Sequence, residues 1–367
     1  RRSPMTFIRI TRTLATLGSA LFAGFALAAQ PTVIRIGVAS PTVGTEFTSG
    51  SGGIAYTRGW INDEFKQDGI KVEWHFFKGA GPAVNEALTN KQLDFALQGD
   101  FPSTVARSVG LKTRIIAMAG VRTNLYLAAP TGSPVQKVAD LKGRKVGLFV
   151  GTNLQLPANR VLADHGLTER DLKIVNLDLP GIDAALIGNN LDAGFSDQRV
   201  LKLRDQGKVR IVYTTRGHAP LYTRQNALLV TDEFASRYPE ATTRVVRGLV
   251  KASRWVADDA NANEAYALWA RMGVPESLIR EDYSGESLKS QFSPLLDDFA
   301  IARYREVAEG LLKLKLIRQP VDVASWFDRR FLDAALKDAS LAGYWQPIDA
   351  AGKRLAAPAR PSKQARS

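Results

Sequence analysis

Between Thr32 and Thr231, short runs rich in β-branched and aromatic residues alternate with helical stretches, and this limits the fold more than any other feature. Strands are predicted at 33–38, 70–77, 94–98, 114–119, 125–129, 145–149, 173–177, 192–196, 209–213 and 227–230. Helices are predicted between them at 54–67, 82–91, 102–109, 153–165, 181–189 and 198–206. Strands spaced by helices of this length imply βαβ units and mostly parallel sheets, hence an α/β protein. After Thr231 the strands stop, and amphipathic helices run almost to Gly343. Two α/β units fit this order better than one sheet of ten strands. A break near 122–124 and a return near 221–226 enclose a segment of ordinary domain size. The expected layout is a discontinuous first lobe, 29–123 and 225–349 with the C-terminal helices, and a second lobe, 124–224. Pro82 and Pro102 stand where a first helical turn tolerates a missing N–H. Gly166, Gly188 and Gly207 stand near helix ends, where a left-handed residue is wanted.

Charge enters because the net +13 suggests nucleic acid or a membrane surface. Its placement argues against both. Arg1, Arg2, Arg9 and Arg12 precede an apolar run, 14–27, that ends Ala26-Leu27-Ala28. This is the pattern of a signal peptide, 1–28, with Met5 as the start, and the run is too short to span a bilayer. Its removal leaves +9. Residues 350–367 carry five more basic residues, no acid and no apolar period, the composition of a disordered basic tail. The body, 29–349, is then only +4, so no nucleic-acid partner is expected. The chain contains no cysteine, which excludes disulfides, thiolate metal sites, a lipid anchor and a cysteine nucleophile. The mature chain is therefore expected to be periplasmic, monomeric and not membrane-spanning.

Catalytic and metal signatures are missing. His75, His165 and His218 are isolated, with no H-E-x-x-H, G-x-S-x-G or G-x-x-x-x-G-K pattern. His75 and His165 read as structural, and His218, in the loop 216–219, as a cleft candidate. Gly50 to Ala55 satisfies G-x-G-x-x-A, but some eleven residues part it from the preceding strand. A dinucleotide site needs strand and turn nearly contiguous, so no nicotinamide cofactor is expected. What the sequence offers instead is a set of polar, glycine-bearing loops between strands and helix starts: 45–53, 98–100, 150–153 and 196–198. Such loops meet at the carboxyl ends of strands, where free N–H groups and helix N-termini suit an anion. Helix 241–258 places Val245, Val246, Leu249, Val250 and Val256 on one face. Arg244, Arg247, Lys251 and Arg254 fall opposite, as a solvated surface, while Trp60, Trp255, Trp269 and Trp326 read as core.

Leu93-Asp94-Phe95-Ala96, Gly99-Asp100-Phe101-Pro102 and the run from Val138 to Val146 (VADLKGRKV) carry a family likeness. With Gly151-Thr152-Asn153 and Leu191-Asp192-Ala193, they resemble the periplasmic substrate-binding proteins of sulfonate, taurine and nitrate ABC importers. The resemblance implies a two-lobed type II periplasmic binding protein that closes on a small oxyanion and delivers it to permease subunits, with no catalysis and no cofactor. It places Gly99, Asp100 and Phe101 in the cleft from one lobe, and Gly151, Thr152 and Asn153 as donors from the other. Added from the loops are Thr45, Phe47, Ser49, Gly50, Ser51, Asp197, Gln198 and His218, with Phe47, Phe101 or Phe195 flanking the organic body. Where many members have Trp-Asp-Pro or Trp-Glu-Pro, this chain has Ser196-Asp197-Gln198, so the organic part of the ligand stays open. An aliphatic sulfonate leads. A thiamine-pyrimidine precursor or other heterocycle is the alternative, and a sulfinate-cleaving enzyme, whose chemistry uses a cysteine, comes last.

Overall fold

The computed structural model describes residues 30–40, 48–218 and 222–355, apart from the side chain of Arg122. The expected signal peptide, 1–28, and the tail beyond 355 lie outside the described residues. Residues 350–355, assigned to that tail, instead fold back, with Asp349 N–H donating to Lys353 O and Leu355 N–H to Pro347 O, each at 2.9 Å.

Ten strands form: β1 (Val33–Ala39), β2 (Lys71–Phe77), β3 (Phe95–Gly99), β4 (Thr113–Thr123), β5 (Tyr126–Pro130), β6 (Lys145–Leu148), β7 (Lys173–Asn176), β8 (Ala193–Ser196), β9 (Val209–Thr214) and β10 (Arg224–Thr231). They make two five-stranded sheets, ordered β2-β1-β3-β10-β4 and β7-β6-β8-β5-β9. Burial explains the positions. All five residues of β3 and of β5 are buried, as in strands covered on both faces. At the edge, β2 buries none of its residues fully and carries Lys71 and Glu73.

The expectation of mostly parallel sheets needs correction. In each sheet half the pairings are antiparallel: β10 against β3 and β4, and β5 against β8 and β9. The cause is the route of the chain. It leaves the first sheet after β4, enters the second as β5, and returns as β10 running the opposite way. The helix predicted over 54–67 also differs. It begins at Gly50, so half of the glycine-rich loop is already helical, and Gly59 breaks it with φ of +67°. Gly166 and Gly207 take left-handed φ as expected, whereas Asn189, not Gly188, does so after helix Leu179–Ile187.

The C-terminal helices pack against the first sheet and its helices. Helix Pro239–Val256 buries Val245, Val246, Leu249, Val250 and Val256. Its basic face is only partly the solvated surface expected: Lys251 is exposed, but Arg244 is largely covered. Arg244 pairs with Asp68, and Arg247 with Glu64 and Asp338. Arg244 also lies over Phe65 at 4.4 Å, and Lys251 over Trp60 at 5.0 Å. Trp269 and Trp326 are fully buried. Two of these helices also reach the second lobe: Glu281 receives Arg204 at 2.7 and 2.8 Å, and Glu306 pairs with Arg160 at 3.3 Å. No helix among the described residues is long and apolar enough to cross a membrane.

Candidate functional site

The loops after β1, β3, β6 and β8 converge with the end of β4 and the start of β10 around an interlobe cavity of about 150 Å³. It brings together seven of the residues predicted to bind ligand: Ser49, Gly50, Gly99, Thr152, Asn153, Asp197 and Gln198. The lobes meet tightly here. A Cβ on Gly99 would stand 2.5 Å from Asn153 Cβ, so only glycine admits the loop of the second lobe.

Several predicted donors are used within their own loop. Gly151 N–H donates to Gln155 Oε1 at 2.8 Å, and the Thr152 hydroxyl to Phe149 O at 2.7 Å. Asp197 is held by Arg199, with Nε to Oδ1 at 2.8 Å and Nη2 to Oδ2 at 3.2 Å. Burial works to raise the Asp197 pKa, but the charge and hydrogen bonds of Arg199 outweigh it and hold the carboxyl below its ordinary range.

Other predicted residues stand elsewhere. Ser51 is fully buried and donates to Ala119 O at 3.0 Å, which fixes helix Gly50–Thr57 to β4. Asp100 is a buried strut, not a wall of the cavity: it accepts the N–H of Phe101 at 2.8 Å and of Gln225 at 3.0 Å. Burial pushes its carboxyl up to about 6, against those two bonds. Phe101 packs away from the cleft with Leu156, Val307, Leu311 and Ile317, and Phe195 has no exposed surface. His218 borders a separate polar pocket with Arg216, Thr223 and Glu286, its Nδ1 3.2 Å from the Tyr213 hydroxyl. Thr45 and Phe47 lie outside the described residues.

The residue that sequence reasoning missed is Arg224, the first of β10. It lines the cavity although it is only 6 % exposed. Nη2 donates to Asn124 O and Nη1 to Asn153 Oδ1 at 3.4 Å, while Nε is buried without a partner. Burial lowers its pKa, opposed by the charges of Asp197, Asp282 and Asp100. The guanidinium of arginine keeps its charge in proteins. Asp282 does not neutralise it by contact; it accepts from the Tyr126 hydroxyl at 2.7 Å and Asn124 Nδ2 at 2.9 Å. Also missed are the aromatic walls Phe149, Tyr283 and Phe292. Beneath them Trp269 packs on Tyr283 and Phe292, with ring centroids 5.2 and 5.0 Å apart.

Two mixed five-stranded sheets joined by two crossovers, with a polar cleft between them, make the two-lobed fold of type II periplasmic binding proteins. The model of the family described as NMT1/THI5 like matches residues 54–262, and the chain belongs to that family. It is 28% identical over 347 residues to an aliphatic sulfonates-binding protein of Escherichia coli (strain K12), across 93% of this chain and 98% of that one. A protein of the same description from Bacillus subtilis (strain 168) is 25% identical over 292 residues, 79% of this chain and 86% of the other. The solved periplasmic sulfonate-binding protein SsuA of Methylobacillus flagellatus KT is 30% identical, covers 86% of this chain and 97% of its own, and superposes with a TM-score of 0.75. At 16% identity, the likeness to the desulfurization enzyme DSZB (TM-score 0.64) concerns the fold alone.

Proposed function

We propose that this protein is the solute-binding component of an ABC importer, and that it holds a small organic anion, a sulfonate first, with the charged head against Arg224. One observation carries this reading: Arg224 lines the cleft although it is only 6 % exposed, and its Nε has no hydrogen-bond partner among the described residues. Leaving such a group unpaired is costly, and an anion entering the cleft supplies the missing partner. Each charge-assisted bond contributes roughly 1.5–3 kcal/mol. Asn153 connects the second lobe to Arg224 and Asn226, so a ligand at this point touches both lobes and favours the closed form by its differential affinity. The signal-peptide pattern expected at residues 1–28 and the names of the relatives fit a periplasmic protein that delivers its ligand to permease subunits. A binding role without catalysis fits the lack of any cysteine in the chain and the naming of its relatives as binding proteins.

The test is a thermal-shift and calorimetric panel of alkyl and aryl sulfonates, taurine, nitrate and carboxylates on the full chain. Stabilisation by sulfonates above the other anions is expected. A clear shift from another class with none from any sulfonate would sink the sulfonate reading. The aromatic wall of Phe149, Tyr283 and Phe292 also favours a second reading, a pyrimidine or other heterocycle without a charged head. Ultraviolet absorbance of a co-purified ligand separates the two.

A further inference from the structure

Asp282, the last residue of helix Glu276–Asp282, is a buried acid that the cleft leaves without a use: it is 3 % exposed and does not line the cavity. It stands close behind Arg224. Asn124 Nδ2 donates to Asp282 Oδ1 at 2.9 Å and to its backbone oxygen at 3.0 Å, and Asn124 O accepts from Arg224 Nη2. Two hydrogen bonds and one residue separate the carboxyl from the guanidinium. Thr123, Arg224 and Tyr283 line the ligand cavity, while their neighbours Asn124, Thr223 and Asp282 line the polar pocket that holds His218. The partition between the two spaces is thus one residue thick at three places.

Hydrogen bonding does not call for an acid at this position. Both side-chain bonds that Asp282 accepts, from Asn124 Nδ2 and from the Tyr126 hydroxyl at 2.7 Å, end on Oδ1. An amide with its oxygen in that place would keep both. What an amide would lack is the charge. Burial raises the pKa of Asp282, while the hydrogen bonds from Tyr126 and Asn124 and the charge of Arg224 favour the ionised form.

That charge bears on whatever binds in front of Arg224. Among the described residues lining the cavity, the charged ones are Arg224, Arg199 and Asp197, two cations against one anion, for a net +1. Asp197 is already paired with Arg199 at 2.8 Å. Asp282 adds a negative charge from behind, within electrostatic reach of Arg224, and Asp100, which accepts the N–H of Gln225, lies on the same side of the balance. Burial keeps water and salt from screening these charges. A singly charged anion balances the wall. A second negative charge meets no further cation, and burying an uncompensated charge is costly.

We propose that the cleft selects singly charged anions against dianions such as sulfate, and that Asp282 is the specificity-determining residue that sets this limit from behind Arg224. This rests on the reading of the cleft as an anion site. Asp282 touches no ligand. It lowers the positive potential at Arg224, and a dianion feels that loss twice over because Coulomb energy is proportional to charge.

Methanesulfonate and sulfate, which differ in a methyl-for-oxygen exchange and in charge, are the probes. Titration calorimetry of the full chain at fixed ionic strength measures both, in the parent and in Asp282→Asn. The parent is expected to bind methanesulfonate at least about ten-fold tighter than sulfate. Asp282→Asn should bind methanesulfonate roughly three- to ten-fold tighter than the parent does, and sulfate tighter by about the square of that factor. Damage to the fold would weaken both ions instead, so a gain that grows with ligand charge separates the charge of Asp282 from a structural role. Equal gains for the two ions, or no gain for either, overturns the role of Asp282. Sulfate binding the parent as tightly as methanesulfonate overturns the limit and leaves the anion site standing. Binding of neither ion to either protein also overturns the limit, and the anion reading falls with it only if every sulfonate of the larger panel fails as well. Should Asp282→Asn not fold, Asp282→Ser removes the same charge with a smaller side chain and carries the same expectation.

Discussion

At the scale of residues, two positions decide whether the cleft works. Arg224 brings a full charge into a space from which water is largely removed, and the attraction to an anion is strong there because screening is weak. Arg224→Gln is expected to weaken binding of benzenesulfonate, or whichever anion of the panel binds tightest, by ten- to roughly hundred-fold. Calorimetry measures this, and an unchanged affinity would remove Arg224 from the site. Gly99 acts by what it lacks. A methyl group there meets Asn153 at 2.5 Å, a contact between lobes that opening the cleft relieves. Gly99→Ala should therefore leave the ligand-free melting temperature almost unaltered and cost about 1–3 kcal/mol of binding. A variant that binds at full strength would contradict a closed state of this geometry. Ser49, Thr152 and Asn153 were legible because glycine and small polar residues after a strand mark a loop at the sheet end. Arg224 was not, because a lone arginine ahead of a strand looks like any surface cation. The neighbouring Asp100 and Phe101 show the converse limit: one and two residues past Gly99, the side chains already point into the protein.

At the scale of elements, the antiparallel course of β10 carries the functional lesson. The carboxyl ends of parallel strands face the cleft, so a strand running the other way presents its amino end there, and with it Arg224 and Asn226. Periodicity located the strand but not its direction, which depends on where the chain has been in the meantime. Helix Arg330–Asp338 shows how the C-terminal elements are tied down. Asp328, just before it, accepts from Arg114 Nη1 on β4 at 2.9 Å and from Arg330 Nη2 at 2.6 Å. The hydrogen bond from Arg330, then that from Arg114, lowers its carboxyl from 3.8 to about 2, against some burial. A depressed acid stabilises the fold fully above its unfolded pKa, and the contribution is lost as pH falls through about 4 to about 2. Partial exposure reduces the full linkage value to about 1 kcal/mol. Asp328→Asn should thus lower stability to urea by about that amount at pH 7. The difference from the parent should shrink toward pH 2, and a constant difference across that range would refute the assignment.

For the whole molecule, the C-terminal helices form a strap as well as a support. Glu281 accepts from both terminal guanidinium nitrogens of Arg204, and Arg216 Nη1 donates to its backbone oxygen at 2.7 Å; both arginines belong to the second lobe. The pair is about one-third exposed, so it contributes in the range of about 0.5–1 kcal/mol and weakens with salt. Glu281→Gln should widen the ligand-free particle in small-angle scattering and reduce ligand affinity two- to five-fold at low salt. An identical scattering profile would mean the strap does not set the opening of the lobes.

The sequence by itself determined the elements. Alternating burial places β1, apolar runs place β3 and β5, and the valine face places helix Pro239–Val256, because each follows from a period shorter than one element. It also determined the loops at the sheet ends, through glycine and small polar residues. Only the tertiary structure decided strand direction, the pairing of the basic helix face with Glu64, Asp68 and Asp338, and the meeting of Arg224 with Asn124 and Asn153. Those depend on contacts between residues far apart in the chain, and no local pattern records which distant surface a side chain will meet.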